Sequence, residues 1–169
     1  DINTEETPGA DIVPLRIVPN TVTPTGANAG EFYVADDGLL YGYDATRSKW
    51  LSVSRNIIGW GANNGNSNIY LRQFNGTLSN LNGWRMIRNG TITTIRVQGG
   101  SNQTYTIEIR KNDVTTAIAS LDVTSAQGNH DTTINVDFEE GDYLQCYVNV
   151  TNGSRITYPQ ALIQIAWRK

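Results

Sequence analysis

The sequence predicts an all-β protein whose main part is a two-sheet antiparallel sandwich, and three observations predict it. Asn and Thr dominate the polar residues, with 18 and 19 copies in 169 residues. Thr suits the crowded surface of a strand, and Asn with Gly suits tight turns. No segment keeps a sustained 3.6-residue apolar repeat, so no amphipathic helix is expected. Short β-branched and aromatic runs instead alternate with Gly- and Asn-rich turns at the spacing of sandwich strands.

Residues 1–29 read as an extended N-terminal arm. They hold four of the five prolines, Pro8, Pro14, Pro19 and Pro24, and proline blocks helix and lacks a ladder donor. About 28 extended residues could reach some 90 Å. Ile12, Val13, Leu15, Ile17 and Val18 are too apolar for a purely solvated tail. With Arg16 they form a stretch expected to be ordered by binding a neighbour. The chain begins at Asp1 rather than Met, which reads as a trimmed or processed start.

Residues 30–54 read as a small three-stranded meander, with strands Glu31–Ala35, Leu39–Asp44 and Lys49–Val53. Asp37-Gly38 marks the first turn, a hairpin signal. Phe32, Tyr33, Tyr41, Tyr43 and Trp50 supply aromatic mass, and three strands need something to pack against.

Residues 55–169 form the main domain. Strands are expected at Asn56–Trp60, Ile69–Arg72, Gly83–Ile87, Thr91–Val97, Tyr105–Lys111, Thr116–Val123, Thr132–Phe138, Tyr143–Val150 and Ala161–Trp167. Turns are expected at Gly99–Asn102, Lys111–Asp113, Gln127–Asn129 and Glu140–Asp142, among others. Alternation assigns the faces. Leu144, Cys146, Val148 and Val150 point into the core, as do Tyr105, Ile107 and Ile109, and Ala161, Ile163, Ile165 and Trp167. Tyr143, Gln145 and Tyr147, with Arg110 and Gln164, point outward. That aromatic, amide and Arg chemistry is typical of subunit interfaces.

Charge is segregated along the chain. Residues 1–44 carry eight acids and one base, and residues 45–107 carry seven bases and no acid. An acidic arm is therefore expected to dock on a surface offering Arg72, Arg85, Arg88 or Arg96. The net charge of −3 speaks against a dedicated nucleic-acid binder. No apolar run approaches the length of a membrane span.

Little catalytic chemistry is legible. One Cys and one His cannot build a Cys/His zinc site, and no intrachain disulfide is available. His130 reads as an exposed loop residue, Cys146 as a buried, inert thiol. The acids at Asp36-Asp37 and around Asp137–Asp142 read as polar turns. No catalytic residue, metal or cofactor is expected. Trp60, Tyr70 and Trp84 could form a sugar-stacking platform, with core packing as the plainer reading.

The segment from Gly90 through Val123, with Asp131–Val150, resembles the trimeric jelly roll of the tumour necrosis factor and complement globular-head superfamily. The resemblance rests on Ile107–Asn112, a strand ending in a Lys-Asn turn, and on Val136–Tyr147, where an apolar strand enters an acidic Gly141-Asp142 turn. It implies a jelly-roll sandwich over residues 55–169 and a homotrimer lined by Tyr143, Gln145, Tyr147 and Gln164. Residues 30–54 are similar to a small aromatic module of tailed-phage fibre and capsid-surface proteins. Gly30-Glu31, the Leu40–Asp44 strand and Trp50 carry that likeness.

Together these features lead to the expectation of a non-enzymatic virion surface protein. It would be a homotrimeric capsid decoration or head-fibre protein, gripping the major capsid protein through its arm. The second reading is a fibre tip binding a receptor or host-surface glycan, and the third a small hydrolase.

Overall fold

The computed structural model describes residues 16–25, 28–63, 68–113, 115–150 and 155–169. Among them are ten strands and no helix: β1 (Phe32–Val34), β2 (Leu40–Asp44), β3 (Lys49–Gly61), β4 (Ile69–Tyr70), β5 (Trp84–Arg85), β6 (Gly90–Lys111), β7 (Ala119–Asp131), β8 (Val136–Phe138), β9 (Tyr143–Asn149) and β10 (Gln160–Arg168). They pair antiparallel in the order β1-β2-β3-β10-β6-β9-β4, with β5 on β9 and with β7 and β8 on β6. Just past β4, Arg72 exchanges two backbone hydrogen bonds of 2.9 Å with Gly61 of β3. A circuit of ladders thus runs through β3, β10, β6, β9 and β4 and returns to β3. The architecture is the all-β antiparallel sandwich of jelly-roll type that the sequence predicts.

The longest strand organises the rest. The first half of β6 pairs with β10 and β8, and its second half pairs with β9. The β7 strand follows it through both halves, with register shifts between Gln98 and Tyr105. Glycines and a bulge let one strand bend from one layer into the next. The expected turns at Gly99–Asn102 and Gln127–Asn129 therefore lie inside β6 and β7. Their Gly and Asn residues mark this bend, because the ladder continues on either side of it. The expected breaks are real at Asn112 and Asp113, whose φ values of 56° and 61° are left-handed, as a tight hairpin requires.

The interior follows the predicted alternation. Ile107, Ile109, Leu144, Cys146, Val148, Ile163 and Ile165 are buried in one cluster with Trp60, Leu71 and Phe138. A second, smaller cluster joins Tyr33, Ala35, Tyr41 and Trp50. There the Tyr33 ring stacks on Tyr41 at 5.4 Å and meets the Trp50 ring edge-on at 4.9 Å.

Continuous backbone and several basic side chains join the two clusters. β3 carries the last meander strand straight into the sandwich. Arg47, in the turn before it, donates to the carbonyls of Ile134, Thr93 and Thr132 at 2.7, 2.7 and 2.5 Å. Its remaining guanidinium nitrogen pairs with Asp44 at 2.7 Å. Lys49 adds bonds to Asn135 and Asp137.

Candidate functional site

Four surfaces carry chemistry: the arm, the outer face of β9, and two grooves on the sandwich. Of the expected arm residues, Ile12, Val13 and Leu15 lie outside the described residues. Arg16, Ile17 and Val18 are exposed, as is Val22. The arm is anchored behind them. The Asn20 amide donates to the Val34 carbonyl at 2.8 Å, and the Trp50 indole donates to the Pro24 carbonyl at 3.0 Å. The aliphatic side chains of Ile17, Val18 and Val22 thus stand in solvent just beside a fixed point.

The outer face of β9 is covered largely from within the chain. Arg110, buried, donates through Nε and Nη2 to Glu108 Oε2 at 3.0 and 2.6 Å and through Nη1 to the Tyr70 hydroxyl at 2.9 Å. Its guanidinium lies over the Tyr147 ring at 3.8 Å. Asn149 donates to the other Glu108 oxygen at 2.9 Å.

Gln145 lies on the face of β9 away from the core, as expected, but it is fully buried, so the expectation that it is open to a partner is corrected. Its amide donates to the Ser79 carbonyl at 3.1 Å and to Asp113 at 2.7 Å, and its oxygen accepts from the Asp113 amide. The segment after β4 supplies this cover: Ser79 Oγ bonds both the amide and the carbonyl of Cys146. Tyr143 and Tyr147 stay half-buried. Hydrogen bonds from Tyr143 and Gln145 hold the Asp113 carboxyl below its ordinary value, and the contact with Asp113 raises the Tyr143 phenol.

Gln164 belongs elsewhere. Its register partner on β6 is Thr94, whereas that of Tyr147 is Glu108, fourteen residues along the strand. The residues expected at the trimer interface, Tyr143, Gln145, Tyr147, Gln164 and Arg110, therefore do not form one patch. Gln164 accepts from Thr93 Oγ1 and lines a groove of about 550 Å³ on the first half of the sheet, with Arg55, Arg96, His130, Ile57 and Leu162. His130 sits in β7 opposite Arg96, not in a loop. Arg55 and Arg96 have no ion pair among the described residues. Burial pulls the Arg55 guanidinium below its usual value, against the pull of Asp44.

The charge segregation is partly resolved inside the chain. Arg88 meets Asp37 at 2.7 Å. Arg72 and Arg85 instead donate to the Gly76 and Gly141 carbonyls, and Arg96 lines the groove. The acids near the chain end are engaged as well: Asp137 with Lys49 and Thr91, Asp142 with Lys111, and Glu139 with Arg168.

The three residues of the expected sugar platform separate. Trp60 is buried in the core and Trp84 packs against it, its indole donating to the Gly59 carbonyl at 3.2 Å. Tyr70 meets Tyr147 edge-on at 4.9 Å and belongs to the opposite face of β9. A wide groove of about 910 Å³ does open beside Trp60, with Phe74 and Tyr158 on its walls. The fibre-tip reading of the sequence places function in loops such as Gly61–Asn68 and Gln73–Asn82, the second of which carries Phe74, but it singles out neither ring, although an aromatic before Pro159 and one in the Asn75-Gly76 turn are legible signals of exposed rings.

Among the described residues no group of three or more His, Cys, Asp or Glu could hold a metal ion. Among the described residues no helix is long and apolar enough to cross a membrane.

No family model matches the chain, and no curated protein matches it. Among solved structures it is similar to PRD1 vertex protein P5, with a TM-score of 0.43 and 11% identity over 88% of this chain and 87% of that one. A structure described as "CBM4 structure and function" gives a TM-score of 0.27 and 13% identity, over 83% of this chain and 77% of the other.

Proposed function

We propose that this chain is a structural protein of a virion surface, a homotrimeric capsid decoration or head-fibre protein that binds and stabilises a phage shell. The observation that carries the reading is the arm. Ile17, Val18 and Val22 are exposed within a few residues of Asn20 and Pro24, which are tied to the meander. Aliphatic side chains held in water beside an anchor suit capture by a partner surface, here the major capsid protein. The sequence resemblance of the meander to a phage surface module supports the same reading.

The mechanism is mechanical. Force on the arm passes through Asn20 into β1, and from the meander through Arg47 and Lys49 into the sandwich. Three arms on one trimer engage together, so weak individual contacts multiply through effective concentration. The half-buried tyrosines of β9, Tyr143 and Tyr147, are the proposed subunit contact. Arg110 and Gln145 support that face from inside the chain.

The test is a variant lacking residues 1–19, which leaves Asn20 and Pro24 in place. It is expected to keep three times its own chain mass by light scattering and to lose binding to empty shells in co-sedimentation. Undiminished shell binding overturns the arm assignment. A monomeric mass for the full chain overturns the trimer.

A further inference from the structure

A second surface points to a ligand of another kind. The groove of about 910 Å³ lies between the end of β3, the turn after Arg72 and the loop before β10. Its walls present two rings to solvent, Phe74 at 85% and Tyr158 at 58% exposure. Neither ring dangles. Phe74 packs at 5.2 Å from the Trp84 ring. Tyr158 follows Thr157, whose amide and hydroxyl both bond Gln103 Oε1 and whose carbonyl accepts from Gly100 at 2.7 Å.

The backbone at Tyr158 is strained, with φ at 48°. A bulky side chain is rarely found there, and such strain persists only where the surroundings enforce it. The cost is unexplained by packing, because the ring it carries is exposed.

The polar lining is equally unfinished. Trp60 lines the groove, and its indole Nε1 is buried with no hydrogen-bond partner among the described residues. Such orphaned donors are rare in native structures. Gln73 lines the groove with only 8% of its surface exposed. Gln160 adds a second amide. Among the described residues no carboxylate lines the groove, and the one guanidinium there, Arg72, already donates to the Gly76 carbonyl.

We propose that this groove binds a neutral oligosaccharide. The apolar C–H faces of sugar rings would stack on Phe74 and Tyr158, and their hydroxyls would bond the side-chain amides of Gln73 and Gln160. Flat rings flanked by planar amides match the alternating apolar and hydroxyl surface of a pyranose. The site is independent of the arm, so its failure leaves the decoration reading standing.

The experiment titrates the full chain with neutral, sialylated and sulfated oligosaccharides at millimolar concentration, by isothermal calorimetry or ligand-observed NMR. A neutral oligosaccharide is expected to bind, and Phe74→Ala is expected to weaken it about tenfold or more. Tyr158→Asn separates ligand from structure, since Asn tolerates the left-handed backbone. That variant should keep or raise its Tm while losing affinity by a similar factor. The proposal is overturned if no neutral oligosaccharide binds, if both variants bind like the parent, or if only anionic glycans bind and Arg72→Gln abolishes them.

Discussion

Arg110 sits over Tyr147, its guanidinium carbon 3.8 Å from the ring centroid, while two of its nitrogens donate to one oxygen of Glu108. The chain thereby stacks a cation between an acid and two aromatic rings on the outside of a strand whose other side is core. Arg110→Ala leaves Glu108 partly buried without its counter-charge and removes the cation–π contact. The expected loss is about 2–3 kcal/mol. Urea unfolding would read it, and a change below about 0.5 kcal/mol would show the stack to be ornamental.

Arg47 governs the meander. Its three bonds to sandwich carbonyls are made by one planar group that a lysine cannot reproduce. Both Arg47→Ala and Arg47→Lys should therefore loosen the meander by about 2 kcal/mol, roughly thirtyfold in local opening. Hydrogen exchange is the measurement: amides of β1 and β2 should speed up while those of β6 and β9 keep their rates. Equal acceleration in both sets would mean that the two clusters open as one unit.

Acid should destabilise the fold through a few carboxylates. Burial pushes the Asp137 carboxyl up, but hydrogen bonds from Lys49 and Thr91 and the charges of Arg168 and Lys49 outweigh it and hold it below its ordinary value. Asp142 is likewise held low: bonds from the Glu139 amide, Lys111 and Asn112 overcome its burial. A carboxylate whose folded pKa is depressed contributes stability that is complete above its unfolded value, near 3.8, and lost as pH falls through the lower folded value. Tm should thus be little affected by these two groups between pH 7 and about 5 and should drop below about 4. Asp142→Asn should be less stable at pH 7 and show a shallower acid drop. An unchanged slope would remove Asp142 from the account.

Cys146 should be chemically silent. It is fully buried, and that burial, with a smaller push from Glu108, raises its thiol far above the ordinary value. A thiol kept protonated and out of solvent is a poor nucleophile. A thiol-reactive disulfide reagent should leave the native protein unmodified for hours and titrate one thiol after denaturation. Rapid labelling of native protein would contradict the packing of β9.

The lessons of the alternation pattern are uneven. At Leu144, Cys146 and Val148 it named the core correctly, because period-two burial is imposed locally by the pleat. At Gln145 the same pattern placed the residue outward, and so it is with respect to β9. The segment around Ser79 then folds over it, a contact between residues 66 apart in sequence that no local signal encodes. Gly99 and Gly100 looked like a turn for a similar reason. Glycine announces that the backbone departs from the ordinary, but whether the chain reverses or merely bends depends on the ladder partners on either side.

Composition and spacing sufficed for the fold class and for the identity of most core residues, since these follow from local backbone preference and from which side chains water rejects. Only the tertiary structure decided that Trp60 is core rather than platform, and that Gln164 and Tyr147 lie far apart along β6. It alone brought Phe74 and Tyr158 to the walls of one groove. Those relations depend on which strand lies beside which, and strand neighbours are chosen by the summed burial of the whole chain rather than by any segment of it.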